Sequence, residues 1–251
     1  MIRRALVGVC SGAMTLLGCA DPAPPAEQPT TLGPNPTPEQ GAMIASALQH
    51  CVIPIHSGTN HGTIFFPTPG WGLTAAHAVD FVTEEHAFTI SVDGSDTGLR
   101  LKMAAPEGAL DPDRPAELDW AVLRTQGDAG PFGGCGLTLA PEHQPAIGDA
   151  VFPVGLLWAD FEAYEEKNEL RAFQLEVSGP MPGASARDDV IWMRWPFEVA
   201  PNGFSGGPVF AMVDGELAVV GITILAIFQG DDAWLVARRV DDEVIAFAES
   251  D

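Results

Sequence analysis

Three short segments contain the side chains with which this chain could carry out acyl-transfer chemistry. In chain order they are Leu73–His77 (LTAAH), Asp119–Leu123 (DWAVL) and Gly203–Pro208 (GFSGGP). A serine hydroxyl is a weak nucleophile, so it needs a base in contact with it and a carboxylate that orients the base. His77 would be the base, Asp119 the carboxylate and Ser205 the nucleophile.

The glycines beside Ser205 predict a place for developing negative charge. A tetrahedral intermediate carries an oxyanion, which converging backbone N–H groups stabilise. The amides of Gly203 and Ser205 can form such a pair, and Gly203 can adopt a positive φ. The same GxSxG pattern marks nucleophiles of the α/β hydrolases, but there the order is serine, acid, histidine. Here His77 comes first, which argues against that fold.

Short apolar runs broken by turn residues predict that these segments lie on β-strands. The predicted strands fall into two sets of six, and Asp214-Gly215 predicts a hairpin turn. The first set is 51–56, 63–66, 72–75, 87–92, 99–104 and 120–124; the second is 150–154, 170–177, 190–195, 208–213, 217–225 and 234–237. A helical turn is predicted at 41–49 and an amphipathic helix at 240–249. Together these elements predict an all-β protein of two packed six-stranded antiparallel β-barrels with a C-terminal helix.

The motif set LTAAH, DWAVL and GFSGGPVF resembles that of the trypsin-like (chymotrypsin-fold) serine proteases, and its bacterial members in particular. The resemblance extends from about Cys51 to the C-terminus and includes AIGDAVFPVGL and AVVGITIL. It implies a first barrel at about 50–135, a second at about 145–238 and a site in the cleft between them. It also implies a serine endopeptidase that acts on peptide or protein substrates through an acyl-enzyme, as a monomer and without a cofactor.

The chain departs from the digestive members of that family at Phe204. There an aspartate precedes the nucleophile and pairs with a newly cut N-terminus, which organises the oxyanion hole. Because Phe204 cannot form that pair and no isoleucine-led activation sequence precedes Cys51, we expect no zymogen switch. Ala78 replaces the cysteine that usually follows the histidine in animal members, and this removes one disulfide.

By the same resemblance, Val199 and Ala200 would line the base of the primary specificity pocket. Thr223 stands where glutamate-specific bacterial relatives have a histidine. The strand that pairs with substrate would be formed by Ile224, Leu225 and Ala226. Since no aspartate occupies the pocket base, we expect small to medium apolar side chains at the cleaved position.

The N-terminal region predicts export. Arg3 and Arg4 precede an apolar run that is too short to span a bilayer and ends at Leu-Leu-Gly-Cys19. This ending resembles a bacterial lipobox, so residues 1–18 would be a signal peptide and Cys19 the site of a lipid anchor; the alternative is a plain signal peptide in which Cys19 is incidental. Residues 19–40 are proline-rich and predict an extended tether to a domain at 41–251. The chain would then be membrane-anchored on the periplasmic or extracellular side.

The charge of the chain and its cysteine and histidine residues limit which partners, disulfides and metal sites it could have. The formal net charge of −22 excludes a nucleic-acid-binding surface, because phosphate binding needs basic residues. Cys51 and Cys135 form an even pair, for which either a disulfide or two buried thiols is open. His50, His56, His61, His86 and His143 lack metal-ligand spacing, so we expect no metal site.

Two other functions remain open from the sequence. The chain could be a peptide-binding module of the same fold whose cleft is blocked or whose three residues are misaligned. It could also be an esterase on this scaffold. Reaction with a serine-directed fluorophosphonate separates an enzyme from a binding module, and peptide cleavage separates a protease from an esterase.

Overall fold

The computed structural model describes most of the chain from residue 36 onward. The described ranges are 36–57, 60–79, 88–92, 95–111, 113, 116–127, 132–156, 170–197, 201–230 and 232–250. The predicted signal peptide, the lipidation site Cys19, most of the predicted tether, and the pocket residues Val199 and Ala200 lie outside these ranges. Among the described residues, no helix has the length and apolar character to cross a membrane.

The elements follow the predicted order of strands with a helix at each end. They are α1 (Pro38–Cys51), β1 (Val52–Ser57), β2 (Asn60–Thr68), β3 (Trp71–Thr74), β4 (Phe88–Val92), β5 (Ser95–Ala104), β6 (Ala121–Gln126), β7 (Ala150–Leu156), β8 (Leu170–Ala172), β9 (Leu175–Ser178), β10 (Val190–Arg194), β11 (Pro208–Val213), β12 (Glu216–Gln229), β13 (Asp232–Arg239) and α2 (Asp242–Glu249). A single 3₁₀ turn at Ala76–Ala78 contains the predicted base, His77. Another at Ala116–Leu118 directly precedes the predicted acid, Asp119.

The strands form two antiparallel sheets. The first has six strands in the order β1-β2-β3-β6-β5-β4, and the second has seven in the order β11-β12-β13-β10-β9-β7-β8. Pairing of Val209–Ala211 on β11 with Val151–Pro153 on β7 closes the second sheet into a barrel, with β8 as an added strand on β7. The prediction of an all-β, chymotrypsin-like architecture with a C-terminal helix is confirmed.

Three apolar clusters hold this architecture together. One fills the first sheet and includes Ile64, Phe66 and Leu123. Another fills the second barrel, and the third lies between the two sheets and also receives residues of α1 and α2. The shared middle cluster explains why side chains from both sheets can be held at fixed positions where the two sheets meet.

Helix α1 begins inside the segment that the sequence analysis assigned to the tether. Thr37 caps it: the Thr37 hydroxyl accepts from the Gln40 amide at 3.2 Å, and the Gln40 side chain accepts from the Thr37 amide at 2.9 Å. Pro38 fits the first helical turn because a backbone N–H at that position would have no intrahelical partner, so the N–H that proline lacks is not needed. The predicted tether is therefore wrong for Pro38–Gln40, and Cys51 ends α1 instead of beginning a strand.

Helix α2 closes the fold by packing on the first sheet. Arg124 of β6 donates to the carbonyls of Ala248 at 2.9 Å and Phe247 at 3.1 Å in the last turn of the helix, where the Ser250 hydroxyl also donates to Phe247 at 2.7 Å. The Phe247 ring meets Trp120 edge to face with centroids 5.2 Å apart. The helix therefore supports the segment that directly follows Asp119.

Several predicted strands differ in extent from the observed ones, among them 170–177 and 217–225. The predicted strand 170–177 is divided at Phe173, so that β8 pairs with the end of β7 and β9 with its beginning. Strand β12 runs on to Gln229 after a register shift between Thr223 and Leu225. Such a bulge turns a strand locally and is common beside functional sites.

Candidate active site

His77 lies in the 3₁₀ turn that directly follows β3. Strand β3 is wholly buried, and Leu73, Thr74, Ala75 and Ala76 have no exposed surface. The His77 side chain keeps 35% of its surface exposed. Buried small residues thus anchor the backbone while the imidazole reaches the surface.

Asp119 holds His77 at two points. Its Oδ1 accepts from the backbone N–H of His77 at 2.9 Å, and its Oδ2 lies 2.6 Å from His77 Nδ1. Asp119 is 7% exposed, so water screens this contact only weakly. A proton on Nδ1 satisfies the carboxylate and leaves Nε2 of the neutral ring as a proton acceptor. The predicted base and its orienting acid are therefore brought together.

Ser205 lies directly after a tight turn. The Phe204 amide donates to the Pro201 carbonyl at 3.2 Å, and Gly203 has a φ of +89°. A positive φ at the third residue of such a turn defines type II geometry, which glycine adopts without strain. This is the conformational freedom predicted for Gly203.

The Ser205 segment is hydrogen-bonded to both sheets. The Thr63 amide of β2 donates to the Ser205 carbonyl at 2.8 Å. On the other side, the Gly206 amide donates to the Thr223 carbonyl at 2.6 Å, and the Thr223 amide donates to Gly207 at 2.8 Å. The backbone on either side of the predicted nucleophile is thus fixed.

Gly62 shows how closely the Ser205 and His77 segments approach. A Cβ at this position would lie 2.9 Å from the Ser205 carbonyl oxygen and 2.7 Å from the Cβ of Ala78. Only a residue without a side chain fits between them. The backbone of Ser205 and the residue after His77 therefore contact the same point on β2.

The backbone amides predicted to bind the oxyanion are not used in hydrogen bonds of the described fold. Within the described part of the chain, the amides of Gly203 and Ser205 have no protein acceptor. The Ser205 hydroxyl likewise makes no hydrogen bond to a described residue, His77 included. The structure thus joins His77 to Asp119 directly and brings in Ser205 through backbone contacts.

Phe204 occupies an apolar pocket in the second barrel. It has no exposed surface, and its ring centroid lies 5.6 Å from that of Phe173 and 5.5 Å from that of Trp195. A Cβ on Gly155 would lie 2.4 Å from the Phe204 Cα, so β7 also packs tightly against this residue. Aromatic packing anchors the residue before Ser205, where the digestive proteases are expected to use an ion pair.

The predicted pocket residues that the structure describes differ in exposure. Thr223 is 1% exposed and Ile224 is fully buried, whereas Leu225 is 40% exposed. Ala226 is half-buried, and Ile224 packs in the cluster between the sheets. The Thr223 hydroxyl is buried without a hydrogen-bond partner, so the predicted apolar surroundings contain one unpaired polar atom.

Cys51 and Cys135 are brought together as buried thiols that no disulfide joins. Burial, together with the hydrogen bond and charge interaction with Cys51, raises the pKa of the Cys135 thiol. Of the two alternatives that the sequence left open, the structure shows two buried thiols. Among the described residues, no group of three or more His, Cys, Asp or Glu side chains could hold a metal ion.

Two threonines at the site were not singled out from the sequence. Thr63 donates its hydroxyl to the Gly203 carbonyl at 2.9 Å, and Thr74 donates to the Thr63 carbonyl at 2.8 Å. Both are fully buried. In sequence they look like ordinary strand threonines, since the bond to Gly203 spans 140 residues and has no local signature.

Solved structures match over most of the chain. A Glu endopeptidase solved in complex with MPD has a TM-score of 0.56 at 14% identity, covering 79% of this chain and 88% of that one. The Rv3671c protease in an inactive form has a TM-score of 0.53 at 18% identity, covering 81% and 91%. A serine-to-alanine mutant of Rv3671c from M. tuberculosis H37Rv has a TM-score of 0.52 at 19% identity, covering 82% and 89%. At these identities the likeness concerns the fold. No protein-family profile and no curated protein sequence matches the chain.

Proposed function

We propose that this chain is a serine endopeptidase that cleaves peptide bonds through an acyl-enzyme. Ser205 would be the nucleophile, His77 the general base and then acid, and Asp119 the group that orients His77. The observation that carries the proposal is the double contact of Asp119 with the backbone and ring of His77, at 2.9 and 2.6 Å. A histidine fixed in this way, in a chain that also carries a serine on a glycine turn, provides the groups that acyl transfer requires.

The proposed reaction proceeds in two displacements. His77 Nε2 takes the proton of Ser205 as its oxygen attacks the substrate carbonyl, and Asp119 stabilises the imidazolium that forms. The amides of Gly203 and Ser205 bind the oxyanion. The intermediate collapses when His77 passes the proton to the leaving amine, and water then hydrolyses the acyl-enzyme by the same steps.

The primary pocket would accept small to medium apolar side chains. The buried Thr223 and Ile224 support this preference, because they bring no charge into the region. A peptide library displayed to the enzyme should yield cleavage after Ala, Val or Leu in preference to Arg, Lys or Glu. Preference for a charged residue would contradict the apolar pocket while leaving the reaction type intact.

The location proposed for the enzyme follows from the N-terminal sequence alone. Cleavage before Cys19 and lipidation of its thiol would anchor the domain outside the cytoplasm. Radiolabelled fatty acid incorporation into wild type but not into Cys19→Ala would support the anchor. Export without lipidation would favour the plain signal peptide.

A silent peptide-binding module is the second candidate. It is favoured by the absence of a hydrogen bond from the Ser205 hydroxyl to any described residue. Catalytic hydrogen bonds are often long in unliganded proteins and tighten when substrate binds, so geometry alone does not exclude the enzyme.

Labelling by a fluorophosphonate probe decides between these candidates. An enzyme should be labelled in the wild type and in the control Ser178→Ala, which removes a half-buried hydroxyl at the end of β9, but not in Ser205→Ala. If the proteins that the probe labels also cleave a peptide substrate, an enzyme restricted to esters is excluded. No labelling of the folded wild type would reject the proposed chemistry.

A further inference from the structure

We infer that Thr63 is a positioning residue that holds the oxyanion-binding turn through its side-chain hydroxyl. The inference deepens the proposed function and rests on it, since it concerns how the amides of Gly203 and Ser205 are aimed. It also answers what organises this turn in a chain whose Phe204 cannot form an ion pair.

Thr63 uses all three of its polar groups at the junction of the two sheets. Its amide donates to the Ser205 carbonyl at 2.8 Å, and its hydroxyl donates to the Gly203 carbonyl at 2.9 Å. Its carbonyl accepts from the Thr74 hydroxyl at 2.8 Å. Thr63 is fully buried, so these bonds face no competition from water.

The Gly203 carbonyl is held from both sheets. It accepts from Thr63 on β2 and from the Leu156 amide on β7 at 3.2 Å. The other end of the same peptide plane, the Phe204 amide, donates to Pro201. That plane is therefore fixed at its oxygen and at its nitrogen.

Fixing this plane restricts where the Gly203 amide can point. The Asn202–Gly203 and Gly203–Phe204 peptides share only the Gly203 Cα, so rotation about its two backbone bonds relates them. Because glycine is free to rotate, a turn with its oxygen released can change φ from +89° at little cost. The Thr63 hydroxyl removes part of that freedom.

Thr63 also connects the turn to the histidine side of the site. Thr74, which donates to Thr63, ends β3 three residues before His77. A Cβ on Gly206 would lie 2.2 Å from both the Thr63 carbonyl and the Thr74 hydroxyl. The base and the oxyanion amides thus share one buried support.

Substitution at Thr63 tests the inference. Thr63→Val keeps the shape and removes the hydroxyl, Thr63→Ser keeps the hydroxyl, and Thr125→Val removes a hydroxyl of the first sheet far from the site. We expect kcat of Thr63→Val to fall at least about tenfold with KM within about twofold, a smaller loss than the roughly 10²–10³-fold cost of deleting an oxyanion donor itself. Thr63→Ser and Thr125→Val should stay within about threefold of wild type.

Hydrogen exchange of the 201–207 segment gives a second measurement that needs no activity. Exchange should be faster in Thr63→Val than in wild type and Thr63→Ser. Equal exchange, or a kcat of Thr63→Val within threefold of wild type, overturns the inference. If wild type resists the fluorophosphonate, the proposed function fails and exchange alone decides whether Thr63 holds the turn. Should Thr63→Val not fold, Thr63→Ala replaces it in both measurements.

Discussion

At the scale of single residues, the contact between Asp119 and His77 is the one on which the proposed reaction depends most. The carboxylate both fixes the ring and selects the tautomer in which Nε2 can accept a proton. Asp119 also accepts a hydrogen bond from the backbone N–H of His77. The orientation of the ring is therefore coupled to the position of the 3₁₀ turn that contains His77.

Asp119→Asn should lower kcat by roughly 10⁴-fold, because an amide donates to Nδ1 and favours the tautomer with its proton on Nε2. Steady-state kinetics on a peptide substrate measure the effect. Asp214→Asn is the matched control, since it makes the same change at an exposed hairpin residue with a φ of +52°, which asparagine tolerates. A kcat for Asp119→Asn within tenfold of wild type would contradict the assigned role.

Phe204→Ala should lower the free energy of unfolding by about 3–5 kcal/mol, because it leaves a cavity among Phe173 and Trp195. Phe228→Ala is the control: this phenylalanine is 53% exposed, so its loss should change stability by no more than about 0.5 kcal/mol. Denaturant unfolding measures both. Equal midpoints for the two variants would remove Phe204 as an anchor of the turn.

At the scale of elements, helix α2 depends on a partly buried charged group at each end. Arg124 binds its last carbonyls, and Asp241 caps its first turn by accepting from the Val244 amide at 3.1 Å. Burial alone would raise the pKa of Asp241. The hydrogen bonds from Arg238 and Val244 and the charges of Arg238 and Arg239 outweigh it and lower that pKa.

The lowered pKa of Asp241 predicts an acid-dependent contribution of α2 to stability. That contribution is fully present above the ordinary aspartate pKa of about 3.9 and is lost as pH falls from there through the lower folded value. Asp241→Asn keeps a capping side chain but not the charge. The loss of stability of this variant relative to wild type, measured by thermal unfolding, should therefore be largest near neutrality and shrink below about pH 4. A deficit that is constant with pH would contradict the linkage; Asp242→Asn controls for the lost charge alone.

The elements were predictable where the signal was local. Alternation and turn residues predicted β11 with the bounds that it has, and they predicted the helix that became α2. The start of α1 was not predicted because proline was read as extended chain, although Thr37, Pro38 and Gln40 form a capping box. The division between β8 and β9 depends on partners along β7, which no local pattern shows.

The same distinction applies to the site. His77, Asp119 and Ser205 could be proposed from the sequence because each lies in a short motif of distinctive composition. Thr63 was not, because its importance depends on a bond to Gly203, which is distant in the chain. Val199 and Ala200 lie outside the described residues, so their roles remain predictions.

At the scale of the whole molecule, the two thiols offer a covalent link between the end of α1 and the segment after the first sheet. Exchange with glutathione disulfide, in which two thiols become one disulfide and release two glutathione molecules, should oxidise Cys51 and Cys135. The reaction should accelerate with pH, because the raised pKa of the Cys135 thiol keeps it protonated near neutrality.

Oxidation should raise the unfolding midpoint, since closing so long a loop is worth up to about 4–5 kcal/mol in the chain-entropy account. Intact mass and thiol titration would follow the link, with Cys135→Ala as the unlinkable control. Two titratable thiols remaining after prolonged treatment of the unfolded and refolded chain would show that the pair cannot be joined.

The anchoring of Phe247 and Ala248 by Arg124 sets an order of events during synthesis. These carbonyls lie 123 and 124 residues beyond the guanidinium that binds them. A ribosome therefore completes the Ser205 turn well before it delivers the ring that packs on Trp120 beside Asp119. A nascent chain that already contains His77, Asp119 and Ser205 therefore still lacks the helix that packs beside Asp119.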